Sequence, residues 1–152
     1  MYLSTKQYGH EVGLSCCFRQ WRAKSHCSKL HGYALAVKFV FAATTLNECG
    51  WVVDFGALKP LKEKLQDMFD HTLLVASDDP KIHLFRQLKI EGVADVVLVD
   101  NVGCEAFANI IFKYADAWTN KHFAHTRLVS VEVKEHGANS AIKLAEGAGE
   151  IL

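Results

Sequence analysis

A thiol and an imidazole, Cys27 and His31, stand four residues apart near the start of an apolar segment. A cysteine close to histidines is a candidate general base, nucleophile or metal ligand. His26 directly precedes the cysteine, and Tyr33 follows His31 at the spacing of two that shares one face of a strand. Cys27 could instead be a small buried apolar residue, the usual fate of a free cysteine. Its polar and basic neighbours favour the reactive interpretation.

Other charged residues in the sequence could also belong to a functional site. His71 follows Asp70 directly, so the carboxylate could orient the imidazole or relay its proton. A histidine at a helix end also serves as a favourable charge near the negative end of the helix dipole. Glu105 precedes a predicted helix, where an acid stabilises the dipole, and Glu135 ends a predicted strand in a position typical of solvent exposure. From the pattern alone these alternatives stay open.

Composition limits the classes of function. The chain has 152 residues, half of them apolar, which suits a single domain over residues 1–152. The 17 acidic and 17 basic side chains balance, so nothing in the overall charge favours a nucleic-acid or membrane partner. The first residues lack the apolar stretch of a secretion signal, and the five cysteines are an odd number. We therefore expect free thiols and a cytoplasmic protein.

Apolar periodicity predicts strands and helices in one α+β domain. Residues 32–43 and 127–134 alternate with a period of two, which is typical of strands. Shorter apolar segments predict strands at 96–99 and around 12–18. Two segments have helical spacing instead, and Pro60 is tolerated in the first turn of the earlier one. Their apolar residues are Leu58, Leu61, Leu65 and Met68, then Phe107, Ile110, Ile111, Tyr114 and Trp118. We expect both helices on one face of the sheet.

Five short motifs occur in a fixed order along the chain. They are Cys-x-x-x-His-Gly from Cys27, Gly-Trp-Val-Val-Asp-Phe-Gly-x-Leu-Lys at 50–59, Asp70-His71, Glu105 at a helix start, and Val-Lys-Glu ending at Glu135. Together they resemble the 6-pyruvoyl-tetrahydropterin synthase family, which includes the bacterial 6-carboxy-tetrahydropterin synthases of queuosine biosynthesis. The resemblance covers about residues 12–141. It implies the tunnelling fold, a four-stranded antiparallel sheet with two helices on one face. It also implies ring-like, trimer-based homo-oligomers with active sites between subunits.

The resemblance assigns roles to the candidate residues. Cys27 is the general base that moves protons on the substrate side chain, which requires a thiol pKa near neutral. Asp70 and His71 complete a Cys/Asp/His set, with Asp70 orienting His71. Glu135 anchors the 2-amino and N3–H edge of a pterin through charge-assisted hydrogen bonds. Glu105 is a second pocket residue, although Gly103 and Cys104 lack the hydroxyl of the family pattern.

The implied cofactor is zinc, held by three histidines with one open position. His31 matches one of these ligands, whereas Phe18 and Tyr33 occupy the positions of the other two. Phenylalanine cannot bind zinc and tyrosine seldom does. Two interpretations stay open: His26 supplies a replacement nitrogen in a rearranged site, or catalysis uses acid–base groups alone.

The implied reaction is that of a carbon–oxygen lyase on 7,8-dihydroneopterin triphosphate, with loss of triphosphate. The 6-carboxy type is favoured over the 6-pyruvoyl type. Two alternatives are a zinc-depleted protein that binds pterins or purines, and a metal-free dihydroneopterin aldolase or epimerase. A basic cluster near Cys27 could bind the triphosphate or lie in solvent as an ordinary loop. Its residues are Arg19, Arg22, Lys24 and Lys29.

Overall fold

The computed structural model describes residues 1–150 and contains seven strands and three α-helices in this part of the chain. In chain order they are β1 (Tyr2–Tyr8), β2 (Leu14–Phe18), β3 (His31–Ala43), α1 (Lys59–Phe69), β4 (Thr72–Ala76), α2 (Ile82–Ile90), β5 (Asp95–Val99), α3 (Cys104–His122), β6 (Arg127–His136) and β7 (Asn139–Leu144). The predicted strands and both predicted helices are present, within a few residues of the expected ends.

The long strand β3 organises the sheet. One of its edges pairs with β6, and β7 follows β6 as an antiparallel neighbour. The other edge pairs with β1 along the second half of β3 and with β2 along the first half. The break between β1 and β2 lies at Gly13, whose φ of 78° is the left-handed conformation that glycine adopts easily.

The predicted sheet of four antiparallel strands is too small, since the described chain has seven strands and β1, β4 and β7 were not predicted. Strands β4 and β5 extend the sheet beyond β2. Both added pairings are parallel, so the sheet is mixed. All five residues of β4 are buried, which is typical of a parallel strand covered on both faces. Such a strand has no alternating pattern, and for this reason the periodicity did not reveal it. We call residues 72–99 the β4–α2–β5 module.

The helices cover both faces of the sheet, which corrects the prediction of helices on one face. Helices α1 and α3 pack on the face of β3 that carries Phe39 and Phe41, in the main core. Helix α2 packs instead on the opposite face of the module, where Phe85 contacts a separate cluster. That cluster contains Leu73, Val75 and Val96. The predicted placement therefore holds for α1 and α3, and α2 is a third helix that was not predicted.

No helix within residues 1–150 has both the length and the apolar character that crossing a membrane requires.

Candidate functional site

A cavity of about 330 Å³ opens where the segment before β3 meets the start of α3 and the end of β6. Four of the seven predicted site residues line this cavity. They are Cys27, His31, Glu105 and Glu135. These residues come from three separate parts of the chain, the motif from Cys27 to His31, the start of α3 and the end of β6.

Cys27 lies in a single 3-10 turn, His26–Ser28, and is partly exposed. The turn begins at Ser25, whose side-chain oxygen accepts a hydrogen bond from the Cys27 main-chain N–H at 3.4 Å. The thiol is thus placed on the wall of the cavity by a short polar loop, where a small ligand can reach it.

Glu135 reaches the cavity from an irregular point in the sheet. The pairing of β6 with β7 shifts register between Lys134 and His136, so Glu135 lies at a bulge. Bulges redirect side chains and are common beside functional sites. The periodicity of β6 alone gives no sign of this shift.

Cys104 is a cavity residue to which the sequence assigned no role. It begins α3 after Gly103, whose φ is 106°. Burial, together with the nearby Glu135 and Glu105 carboxylates, raises the pKa of its thiol to about 12. Cys104 is therefore a protonated thiol at neutral pH and is unsuited to act as a base.

The three positions that the resemblance assigns to zinc ligands are neighbours in space. Phe18 is paired with His31 across β2 and β3, with ring centroids 4.9 Å apart. The Tyr33 ring lies edge-on to His31 at 5.6 Å. We call Phe18, His31 and Tyr33 the aromatic cluster. The Nδ1 atom of His31 is 2.7 Å from the Lys29 carbonyl oxygen, which favours the Nδ1–H tautomer.

The aromatic cluster does not fit the zinc that the resemblance implies. Phe18 has no donor atom, and burial, followed by the nearby Glu135, raises the pKa of the Tyr33 hydroxyl. A neutral phenol is a poor zinc ligand. Within residues 1–150 no three His, Cys, Asp or Glu side chains are grouped closely enough to hold a metal ion. His26, the residue expected to supply a nitrogen in a rearranged zinc site, does not line the cavity. Zinc binding by this chain stays a prediction.

Asp70 and His71 form a local pair, away from Cys27. The Nδ1 atom of His71 is 2.6 Å from Oδ1 of Asp70, as expected for an orienting carboxylate. The His71 side chain is 88% exposed, and its φ of 57° is unusual for a residue other than glycine. It lines a shallow depression that shares no residue with the cavity of Cys27. Within one chain the structure therefore does not bring the Cys/Asp/His set together.

The predicted basic cluster is partly neutralised. Arg19 is bonded to Asp79, and Arg22 to the exposed Asp78. These arginines lower the pKa of each aspartate, mainly through the side-chain hydrogen bonds. Their two cationic partners in the cluster, Lys24 and Lys29, form no ion pair within the described chain and stay available to an anionic ligand.

Comparison with known proteins gives a match over most of the chain. The family model described as 6-pyruvoyl tetrahydropterin synthase matches residues 9–146. The 6-carboxy-5,6,7,8-tetrahydropterin synthases of Rickettsia typhi and Rickettsia bellii are 38% and 37% identical to this chain over 60 residues. These segments cover 39% of this chain and 44% of each relative, so the match spans less than half the length of the curated relatives.

Solved structures share the fold. An uncharacterized protein from Wolinella succinogenes has a TM-score of 0.81 at 19% identity, covering 95% of this chain and 98% of the other. The 6-pyruvoyl tetrahydropterin synthase of Plasmodium vivax has a TM-score of 0.67 at 16% identity, covering 94% and 98%. At these identities the likeness demonstrates a common architecture.

Proposed function

The chain belongs to the 6-pyruvoyl tetrahydropterin synthase family, and we propose that it is a carbon–oxygen lyase acting on 7,8-dihydroneopterin triphosphate. The observation that carries this proposal is the cavity in which Cys27 and Glu135 both present side chains. The similarity to the Rickettsia proteins favours the 6-carboxy type, which would place the product before queuosine.

The proposed ligand of the cavity is a pterin. A volume of about 330 Å³ is within the usual range for a small-molecule site. The Glu135 carboxylate would accept two hydrogen bonds from the 2-amino and N3–H edge, and a charged acceptor strengthens both. Glu105 lines the same cavity and is the second proposed pterin contact. Lys24 and Lys29 are the cations we assign to the triphosphate.

The proposed chemistry is proton transfer by side chains of this protein. Cys27, as the thiolate, takes a proton from the substrate side chain, the carbon–oxygen bond to the triphosphate breaks so that triphosphate leaves, and His71 returns a proton while Asp70 holds the imidazole. Because His71 lies outside the cavity of its own chain, we propose that a second copy supplies the Asp70–His71 pair. The exposed position of His71 allows such a contact. No step is assigned to zinc.

One observation favours a second candidate function. The aromatic cluster replaces two of the three expected ligands, so a pterin-binding protein without the lyase reaction is an alternative. Aldolase or epimerase chemistry on a dihydroneopterin is a further alternative that requires no metal. Both retain Glu135 as the pterin anchor.

Substitution of Cys27 and Glu135 tests the proposal. We expect Cys27→Ala to lower kcat by at least about 100-fold with the affinity for the pterin nearly unchanged. Glu135→Gln should weaken pterin binding by about 10-fold or more, because a charged hydrogen bond contributes about 1.5–3 kcal/mol. Calorimetry and a turnover assay measure the two effects. Cys49→Ala is the matched control, since Cys49 is exposed and outside the cavity. Normal turnover by Cys27→Ala would contradict the assignment of the base.

A further inference from the structure

An ion pair between Arg19 and Asp79 lies beside the segment that carries Cys27. The guanidinium donates one hydrogen bond from Nε to Oδ2 at 2.8 Å and another from Nη2 to Oδ1 at 2.7 Å. The side chains are 21% and 1% exposed. Two parallel bonds between planar groups fix their relative orientation, and burial excludes competing water. The pair is therefore a rigid connection between two parts of the chain.

Arg19 extends this connection to the residue after Cys27. Its Nη1 donates a hydrogen bond to the Ser28 carbonyl oxygen at 3.2 Å. The main-chain N–H of Gln20 donates to the Cys27 carbonyl oxygen at 2.9 Å. Two consecutive residues thus hold two consecutive carbonyl groups of the Cys27 segment. A single 3-10 turn has few internal bonds, so it depends on such outside contacts for its shape.

The other half of the connection comes from the β4–α2–β5 module. Asp79 lies between β4 and α2, where its Oδ1 also accepts a hydrogen bond from the Lys81 main-chain N–H at 2.8 Å. Just after the module, the Asn101 side-chain oxygen accepts a hydrogen bond from Gln20 at 3.0 Å. Asp79 and Asn101 therefore hold Arg19 and Gln20, and these two residues in turn hold the Cys27 segment.

We infer that Arg19 and Asp79 are positioning residues that fix the Cys27 thiol within the cavity. The inference rests on the proposed function, in which Cys27 is the base. Neither residue lines the cavity, so they act through the 26–28 segment and not on the substrate. A displacement of about 1 Å at a reacting group can cost about 100-fold in rate.

The test compares Arg19→Lys and Asp79→Asn with Arg22→Lys and Asp78→Asn. The second pair has the same residue types, is 55% and 48% exposed, and its hydrogen bonds do not reach residues 26–28. Alkylation of Cys27 by iodoacetamide is followed peptide by peptide with mass spectrometry. We expect Arg19→Lys and Asp79→Asn to speed this alkylation by about fivefold, because the freed segment opens locally. We also expect kcat to fall about 10- to 100-fold with a nearly constant KM.

The control pair should leave both readouts unchanged. Folding of each variant is checked by circular dichroism. If Asp79→Asn does not fold, the test of the inference rests on Arg19→Lys, which keeps the positive charge beside Asp79. A folded Arg19→Lys with wild-type alkylation and kcat overturns the inference, even if its melting temperature falls. Alkylation requires no substrate. Absence of turnover in the unchanged protein would therefore overturn the proposed function while the positioning test still gives a result.

Discussion

Two side chains of the aromatic cluster are packing groups at positions where the family resemblance implies metal ligands. Phe18 is 2% exposed and meets Phe107 edge-on at 5.1 Å, so it belongs to the main core. Tyr33 packs against the same core with its hydroxyl near Glu135. Burial, followed by the nearby Glu135, raises the pKa of that hydroxyl, which is therefore protonated at neutral pH and can donate a hydrogen bond.

The composition of the aromatic cluster leads to a prediction about the metal content of the purified protein. We predict that the purified protein carries far less than one zinc per chain, and that Phe18→His combined with Tyr33→His raises the content toward one. The double variant restores three imidazoles around one point, the usual set for catalytic zinc. Elemental analysis after dialysis measures the difference.

The control for the metal experiment is Phe18→Leu combined with Tyr33→Phe, which alters packing without adding donors. One zinc per chain in the unchanged protein would contradict the prediction and favour a rearranged site. In that case His26→Ala should remove the metal.

The family resemblance assigned roles to seven side chains, and four of them line the cavity, whereas Asp70, His71 and His26 do not. Cys27, His31, Glu105 and Glu135 each belong to a short motif whose residue types suggest a function. The contact of Arg19 with Asp79 was not predicted, since it joins residues 60 positions apart with no local pattern. In the sequence, arginines in a loop suggest an anion-binding site just as well as an ion pair. Only the fold shows that Arg19 is paired with the buried Asp79.

At the scale of elements, β2 and β3 approach each other closely beside the cavity. A Cβ atom on Gly32 would lie 2.6 Å from the Cys16 main-chain oxygen and 3.3 Å from the Cys17 Cβ atom. The main-chain oxygen cannot move without disturbing the strand pairing that also positions Phe18 opposite His31. Glycine at this position is therefore a requirement of strand packing.

Replacing this glycine tests that requirement. We predict that Gly32→Ala lowers the free energy of unfolding by about 1–3 kcal/mol, the usual cost of adding volume to a packed site. Urea denaturation followed by circular dichroism measures it. Gly137→Ala is the control, since its Cβ would have no atom within 4 Å. Equal stability of the two variants would show that β2 can shift at little cost.

The elements differ in how well the sequence predicts them. Strands β3 and β6 and helices α1 and α3 have long, regular apolar periods, and all four were predicted. The β4–α2–β5 module was predicted only in part, through β5. Its five-residue strand β4 is buried on both faces and its helix has nine residues, so neither shows a long period.

At the scale of the whole molecule, the described chain leaves sheet edges without a partner strand. Strand β1 pairs with β3 alone, and β7 pairs with β6 alone. Large apolar side chains near these edges are exposed, among them Leu3 at 45% and Ile142 at 57%. Open edges with apolar side chains are suited to pairing with further strands. They support, as a proposal, the edge-to-edge assembly that the family resemblance implies.

Complementation tests whether two copies share a site. We predict that Cys27→Ala and His71→Asn are each inactive, and that mixed oligomers of the two recover about one quarter of the wild-type activity through random pairing. Asparagine tolerates the φ of 57° at position 71, so the backbone is preserved. The two variants are co-expressed with different tags and purified over both.

Each variant alone, purified in the same way, is the control for this experiment. Mixed oligomers without recovered activity would contradict the shared site. They would indicate that Cys27 and His71 act within one chain. Activity of His71→Asn by itself would show that His71 has no part in the reaction.

The most direct test of the account is product analysis with 7,8-dihydroneopterin triphosphate and the unchanged protein. Mass spectrometry follows the pterin while the release of inorganic triphosphate is measured in parallel. The account predicts consumption of the substrate and one water, release of triphosphate, formation of a 6-carboxy-tetrahydropterin and release of the other two side-chain carbons as acetaldehyde, all lost in Cys27→Ala. A pterin that binds and is recovered unchanged, or a shortened side chain without triphosphate release, would contradict the proposed lyase.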